Sequence, residues 1–280
     1  MNFASRLWIV AVILGLLTLS PAHAGTTPEE VKAFEGYKVQ AEKGDLEAQY
    51  KLGYSYFHGN GVTKDFVQAV SWYRKAAEKG YAQAQSNLGL CYFYGAGVAK
   101  DLVQAAAWCR KAAEQGDAAA QYELGNYYSK GEGVAKNEVE AVKWHRKAAD
   151  QGSVMAQSSL GFSYYLGIGV AKDFVQAAAW YRKAAEQGDT EAQFYMALFY
   201  CYGLGVAKDE IEAYAYWNLA GITHAPSRDM LGVLEKRMSP DARLLGQQRT
   251  KQLQKEIEGR LDSARDLLKA IKKENLRKGI

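Results

Sequence analysis

A 36-residue period runs through this chain, and it constrains the fold more than any other feature. The phrase "GVAKDLVQAAAWCRKAAEQG" at residues 97–116 returns at residues 169–188 with two changes, Leu102 against Phe174 and Cys109 against Tyr181. Blocks starting at Asp45, Tyr81, Asp117, Ser153 and Asp189 align without a gap. Ala-Gln recurs at 48–49, 84–85, 120–121, 156–157 and 192–193, and Leu-Gly at 52–53, 88–89, 124–125 and 160–161. Gly-x-Gly-Val follows in every block, Trp stands at 72, 108, 144 and 180, and Gly closes four blocks at 80, 116, 152 and 188. A fixed period of this length marks stacked repeats, each too small to fold alone.

The spacing predicts two helices per block. Ala48, Leu52 and Tyr56 recur at i, i+4, i+8, one face of a helix. Gly59 supplies a left-handed terminator and Gly61 relaxes the turn. Asp65 with Gln68 then opens the second helix, and the pair returns as Asp101/Gln104, Asn137/Glu140, Asp173/Gln176 and Asp209/Glu212. This predicts a capping box in every block. Ala69, Trp72 and Ala76 give the second helix its buried stripe. A lone 36-residue hairpin cannot bury enough surface to offset its ordering entropy. Stacked, each Trp fills space left by Ala and Gly in the adjoining helix, and one core results. Gly53 and its equivalents sit mid-helix at a cost of about 0.5–1 kcal/mol each, which implies close helix–helix approach. The column holding Tyr73, Cys109, His145, Tyr181 and Trp217 varies so widely that it is expected outside the shared core.

The expected fold is therefore all-α: an α-solenoid of about five 36-residue repeats at 45–80, 81–116, 117–152, 153–188 and 189–224. "YKVQAEKG" at 37–44 matches "YRKAAEKG" at 73–80 one period on, so residues 25–44 are expected to form a half-repeat cap. Residues 225–280 are expected to be capping helices. Ser239-Pro240-Asp241 opens one running to about Arg260, and a second is expected from about Asp262 to Leu276.

The first 24 residues have a different grammar. Arg6 precedes the apolar run from Leu7 to Leu19, then Ser20-Pro21 and the small-residue site Ala22-His23-Ala24. This predicts a secretory signal peptide cleaved after Ala24, since 13 residues fall short of the roughly 20 that span a bilayer. Cleavage would lower the formal charge from +4 to +3, too little to argue for nucleic acid or a membrane surface. The charge is uneven: residues 225–280 hold 14 Lys/Arg against 8 Asp/Glu. That leaves open a basic terminal helix (Arg265, Lys269, Lys272, Lys273, Arg277, Lys278) that is either a solvated face or a dock for an anionic surface. Three cysteines, Cys91, Cys109 and Cys201, are not a disulfide framework. Cys91 and Cys109 either bridge within one hairpin or, like Cys201, are small buried apolar residues.

The pattern "AQ..LG..Y..G.GV.KD...A..W.RKAAEQG" resembles the Sel1-like repeat, a relative of the tetratricopeptide repeat. The resemblance covers 45–224 as full repeats and implies an adaptor that holds proteins or peptides; several exported bacterial members touch host factors. A disulfide-rich branch has been linked to penicillin binding, which gives a second expectation, a cell-wall-related or penicillin-interacting enzyme. This chain departs from that branch in having three cysteines rather than a pair per repeat.

No catalytic constellation stands out in the sequence. Ser-x-x-Lys, Gly-x-Ser-x-Gly, a Walker loop and HExxH are missing. Gly-x-Gly-Val lacks a preceding strand and recurs at helix turns, so it reads as structure. The four histidines and three cysteines are scattered, and no metal or cofactor is expected. Partner-binding information is expected in columns that vary between blocks. In the related tetratricopeptide fold such columns on the first helix line the concave surface. Here they place Tyr50, Tyr54 and His58; Leu90 and Tyr94; Tyr122, Asn126 and Lys130; Phe162 and Leu166; Leu198 and Tyr202. Aromatic residues in such columns suit a protein or peptide partner, because they bury large area at modest entropy cost.

Overall fold

The computed structural model describes residues 27–278, with Leu268 and residues 271–278 described by their backbone alone. The signal segment lies outside the described residues. Among the described residues thirteen helices follow one another: α1 (Pro28–Glu42), α2 (Leu46–His58), α3 (Phe66–Glu78), α4 (Ala82–Tyr94), α5 (Leu102–Glu114), α6 (Ala118–Lys130), α7 (Glu138–Asp150), α8 (Val154–Leu166), α9 (Phe174–Ala185), α10 (Thr190–Tyr202), α11 (Glu210–Ala220), α12 (Ala225–Glu235) and α13 (Pro240–Lys278). They pair in sequence as an all-α solenoid. The chain divides within α6 into two compact units, one up to Ala120 with Glu132–Ala135, the other the remainder.

Local chemistry sets each boundary. The Asp45, Asp117, Ser153 and Asp189 side chains accept from the backbone N–H three residues on, whereas Tyr81 makes no such bond. Gly59, Gly95, Gly167 and Gly203 end the first helices in the left-handed region. The expected capping box is only half present in the repeats. Asp65 accepts from the Val67 and Gln68 N–H groups, but its own N–H donates to Tyr56 O at 2.8 Å. The same bond ties Asp101 to Tyr92, Asn137 to Tyr128, Asp173 to Tyr164 and Asp209 to Tyr200, leaving the Gln or Glu nothing to reach back for. The reciprocal box forms at Thr27 and Glu30, which opens α1.

The buried Gln column stitches neighbouring helices. Gln49, Gln85, Gln157 and Gln193 each donate through Nε2 to a carbonyl eight residues back. Gln115, Gln151 and Gln187 donate in turn to Gln85, Gln121 and Gln157. The first repeat has Lys79 where the next three have that second Gln, and Gln49 Oε1 is left buried without a partner among the described residues.

The variable column is the main correction to the sequence reading. Tyr73, Cys109, His145, Tyr181 and Trp217 are all buried, at most 6% exposed. Tyr73, Cys109, His145 and Tyr181, rather than the column of Trp72, lie over the mid-helix glycines. A Cβ at Gly161 would lie 2.7 Å from the Tyr181 ring, and one at Gly125 would lie 2.3 Å from His145. The column tolerates change because the glycine leaves a slot whose filling can vary, not because it faces water. Trp72, Trp108 and Trp144 are half-buried, with the Lys75, Lys111 and Lys147 ammonium groups over their rings at 3.7–4.1 Å.

At the C-terminal end α12 and α13 pack on α11, and Gly246 lies beneath the Tyr214 ring. Ser239 caps α13 by accepting from the Ala242 N–H at 3.2 Å. The break expected near 260–262 does not occur; α13 is one helix. Ser263 bonds back to Gly259 O, and Asp262–Arg265 and Asp266–Lys269 pair at i, i+3, so these polar residues sit along a continuous helix. Cys91, Cys109 and Cys201 are buried thiols. Burial pushes the Cys91 thiol up to about 11, and the Cys109 thiol donates to Ala120 O at 3.1 Å.

Candidate functional site

The first helix of every pair is amphipathic in a particular way. Its Ala, Gln, Leu and Gly columns are consumed by packing, which turns two further columns outward. In the first unit this exposes Tyr54, His58, Leu90 and Tyr94 and leaves Tyr50 half-buried. Tyr50 and Tyr54 lie 6.3 Å apart, centroid to centroid, and Tyr54 lies 4.1 Å from His58. Both tyrosines line a recess of about 330 Å³ with Tyr37, Lys51, Ala33 and Glu30. In the second unit Lys130, Phe162, Leu166 and Tyr202 are exposed, while Tyr122, Asn126 and Leu198 are half-buried. Asn126 turns inward because its Oδ1 meets His145 Nε2 at 3.2 Å and its Nδ2 reaches Glu123.

The adjacent column behaves differently. Phe57 packs against Phe66 at 5.0 Å, Tyr165 against Phe199 at 5.5 Å, and Cys201 is buried. It belongs largely to the packing between helices.

A recess of about 330 Å³ in the second unit is lined by Tyr122, Asn126, Ser129, Glu138, His145, Met155, Ser158, Ser159, Phe162, Tyr181, Asp189 and Glu191, among others. It brings three expected residues, Tyr122, Asn126 and Phe162, together with acids and serines that the sequence reading did not single out. Burial holds the His145 ring down at about 4, opposed by Glu138 and a hydrogen bond with the Tyr122 backbone, so the imidazole is neutral near pH 7. Burial also raises the Tyr181 hydroxyl, helped by Tyr195, Glu191, Tyr165 and Asp189. The signal that could have found this recess is a drop in side-chain size between blocks. Tyr73, Tyr81 and Asn87 correspond two periods on to His145, Ser153 and Ser159.

Among the described residues no group of three or more His, Cys, Asp or Glu could hold a metal ion, and no helix is long and apolar enough to cross a membrane. Arg265 and Lys269 on α13 are exposed and paired with Asp262 and Asp266. Lys272, Lys273, Arg277 and Lys278 lie outside the residues whose side chains are described.

Paired helices with a left-handed glycine turn, repeated at a fixed period, define a helical-repeat scaffold. The chain belongs to the Sel1 repeat family, whose pattern matches residues 46–81, 82–117, 118–153, 154–189 and 190–221. It is similar to a Sel1 repeat protein from Oxalobacter formigenes, at 33% identity and a TM-score of 0.66, covering 80% of this chain and 97% of that one. It is also similar to a protective antigen present in uropathogenic Escherichia coli strains, at 34% identity and a TM-score of 0.58 over 78% of this chain. The match spans 56% of that antigen's length. No curated protein matches the chain.

Proposed function

We propose that this protein is an exported scaffold that holds a segment of a partner protein along the outward face of its first helices. The observation that carries this is the exposure of large aromatic side chains in the variable columns. Tyr54, Phe162, Tyr202 and Tyr94 are 40–72% exposed although each belongs to a well-packed helix. Rigid aromatic groups presented this way supply contact area at low entropy cost, and the helix columns behind them are already committed to packing. Export rests on the N-terminal sequence grammar, with Gly25 as the first residue of the mature chain. Replacing Tyr54, Tyr94 and Phe162 together by Ala should abolish recovery of the partner from the native envelope fraction while leaving the helical circular dichroism unchanged. Equal recovery by the triple variant would overturn the assignment of the face.

A further inference from the structure

The recess in the second unit is an acidic slot, and nothing in the solenoid's own packing requires it to be open. Two residues smaller than their first-unit counterparts line it. In the first unit Tyr73 fills the slot over Gly53, bonds to Asn87 and stands 6.0 Å from Tyr50, whose other side meets Tyr81 at 5.5 Å. His145 and Ser159 stand at the positions of Tyr73 and Asn87 and line the recess of about 330 Å³, and Ser153 stands at that of Tyr81. That volume is at the small end of ligand sites, suited to one side chain.

The lining fixes the chemistry. Glu138, Asp189 and Glu191 bring three carboxylates to the rim, and no Lys or Arg lines it. Glu138 already pairs with Lys136 at 3.0 Å and accepts from Ser129; Asp189 caps α10 and accepts from Ser158. Glu191 is exposed and uncommitted to either role. The Tyr181 hydroxyl is an independent sign. Its residue is fully buried, it lines the recess, it feels Asp189 and Glu191, and it has no hydrogen-bond partner among the described residues. Its counterpart Tyr73 has Asn87, but Tyr195 stands in that place for Tyr181 and stacks at 4.7 Å instead of bonding. A buried hydroxyl without a partner is unfavourable, and a donor entering the recess would offset that. Phe162 and Tyr122 add aromatic faces to which a cation is attracted.

We infer that this recess receives the side chain of an arginine or lysine in the bound partner segment. Its N–H groups donate to Glu191, Glu138 and the Tyr181 hydroxyl, and its stem lies against Phe162. The inference rests on the proposed scaffold role and names the residue type that anchors the segment.

The test uses acetyl-Gly-Arg-Gly-amide and its neutral citrulline counterpart, titrated into the full chain and followed by backbone amide NMR. Saturable shifts at residues 122–129 and 155–162, at least ten-fold stronger for arginine than for citrulline, support the site. Two variants sharpen it. His145→Tyr refills the slot with the residue the chain uses at 73 and 181, and Glu138→Gln with Glu191→Gln removes charge without changing volume. Each should weaken arginine binding at least ten-fold with the amide spectrum otherwise preserved. Equal shifts from both peptides, shifts mapping elsewhere, or undiminished binding by the charge variant would overturn it. The scaffold role fails separately, if the peptide binds as described but the Tyr54/Tyr94/Phe162 variant captures partner normally.

Discussion

His145 shows how one residue changes the way a slot over a mid-helix glycine is filled. It occupies a slot that Tyr73 and Tyr181 fill elsewhere, 6% exposed and held neutral by burial. Because the folded state keeps the ring near 4 against an ordinary 6.5, the unfolded chain binds the extra proton between those values. The native state therefore loses stability as pH falls from 6.5 to 4, by about 3 kcal/mol for this group alone, and keeps it in full above 6.5. Carboxylates titrate in part of the same range, so the informative quantity is the difference from His145→Tyr. Denaturant unfolding at pH 7.5, 5.5 and 4.5 should show the wild type losing more stability than the variant. Parallel losses would mean that the ring is protonated in the fold. From sequence, His145 was one of four scattered histidines, and its column's variability read as exposure. Variability in size over a fixed glycine is equally the mark of a slot with interchangeable fillings, and only the packing distinguishes the two.

At the scale of elements, the turn between paired helices is where sequence and structure agree most closely. The second glycine of each Gly-x-Gly was expected only to relax the turn. In the structure Gly97 has φ +71°, and a Cβ there would lie 2.1 Å from Phe66 O in the preceding pair, so it is a contact point between repeats. Gly116 also has positive φ, +95°, but a Cβ there would meet nothing within 4 Å. Gly116→Ala should cost about 1 kcal/mol from backbone strain alone. Gly97→Ala should cost at least about 3 kcal/mol, because the clash is with backbone that cannot move aside. Chemical denaturation of the two single variants checks the ordering; equal losses would show that the turn does not seat against the preceding pair. The half-formed capping boxes carry a similar lesson. The residue pair was legible, but the carbonyl of the preceding helix that takes the cap's N–H comes from tertiary structure and leaves no trace in local spacing. The continuity of α13 was hidden for the converse reason. Ser, Asp and Gly near 259–263 look like a boundary until their bonds are seen to run along one helix.

At the scale of the molecule, the period made the architecture readable because repetition multiplies a weak local signal by five, and the family assignment follows from it. The proposed binding features lie where the period fails. The exposed aromatic columns could be listed from sequence because packing columns are recognisable by their recurrence. The acidic recess is harder to list, since it draws on residues of five helices, and the loss of size at His145 and Ser159 is its local signal. The proposed function puts partner binding on the first-helix face and not on the solenoid surface at large. A photo-cross-linking side chain placed at Tyr94, 72% exposed on that face, tests this against one at Val103, 63% exposed at the start of α5. The probe at Tyr94 should yield a discrete cross-linked partner and that at Val103 none. Equal capture at both positions, or capture at Val103 alone, would contradict it.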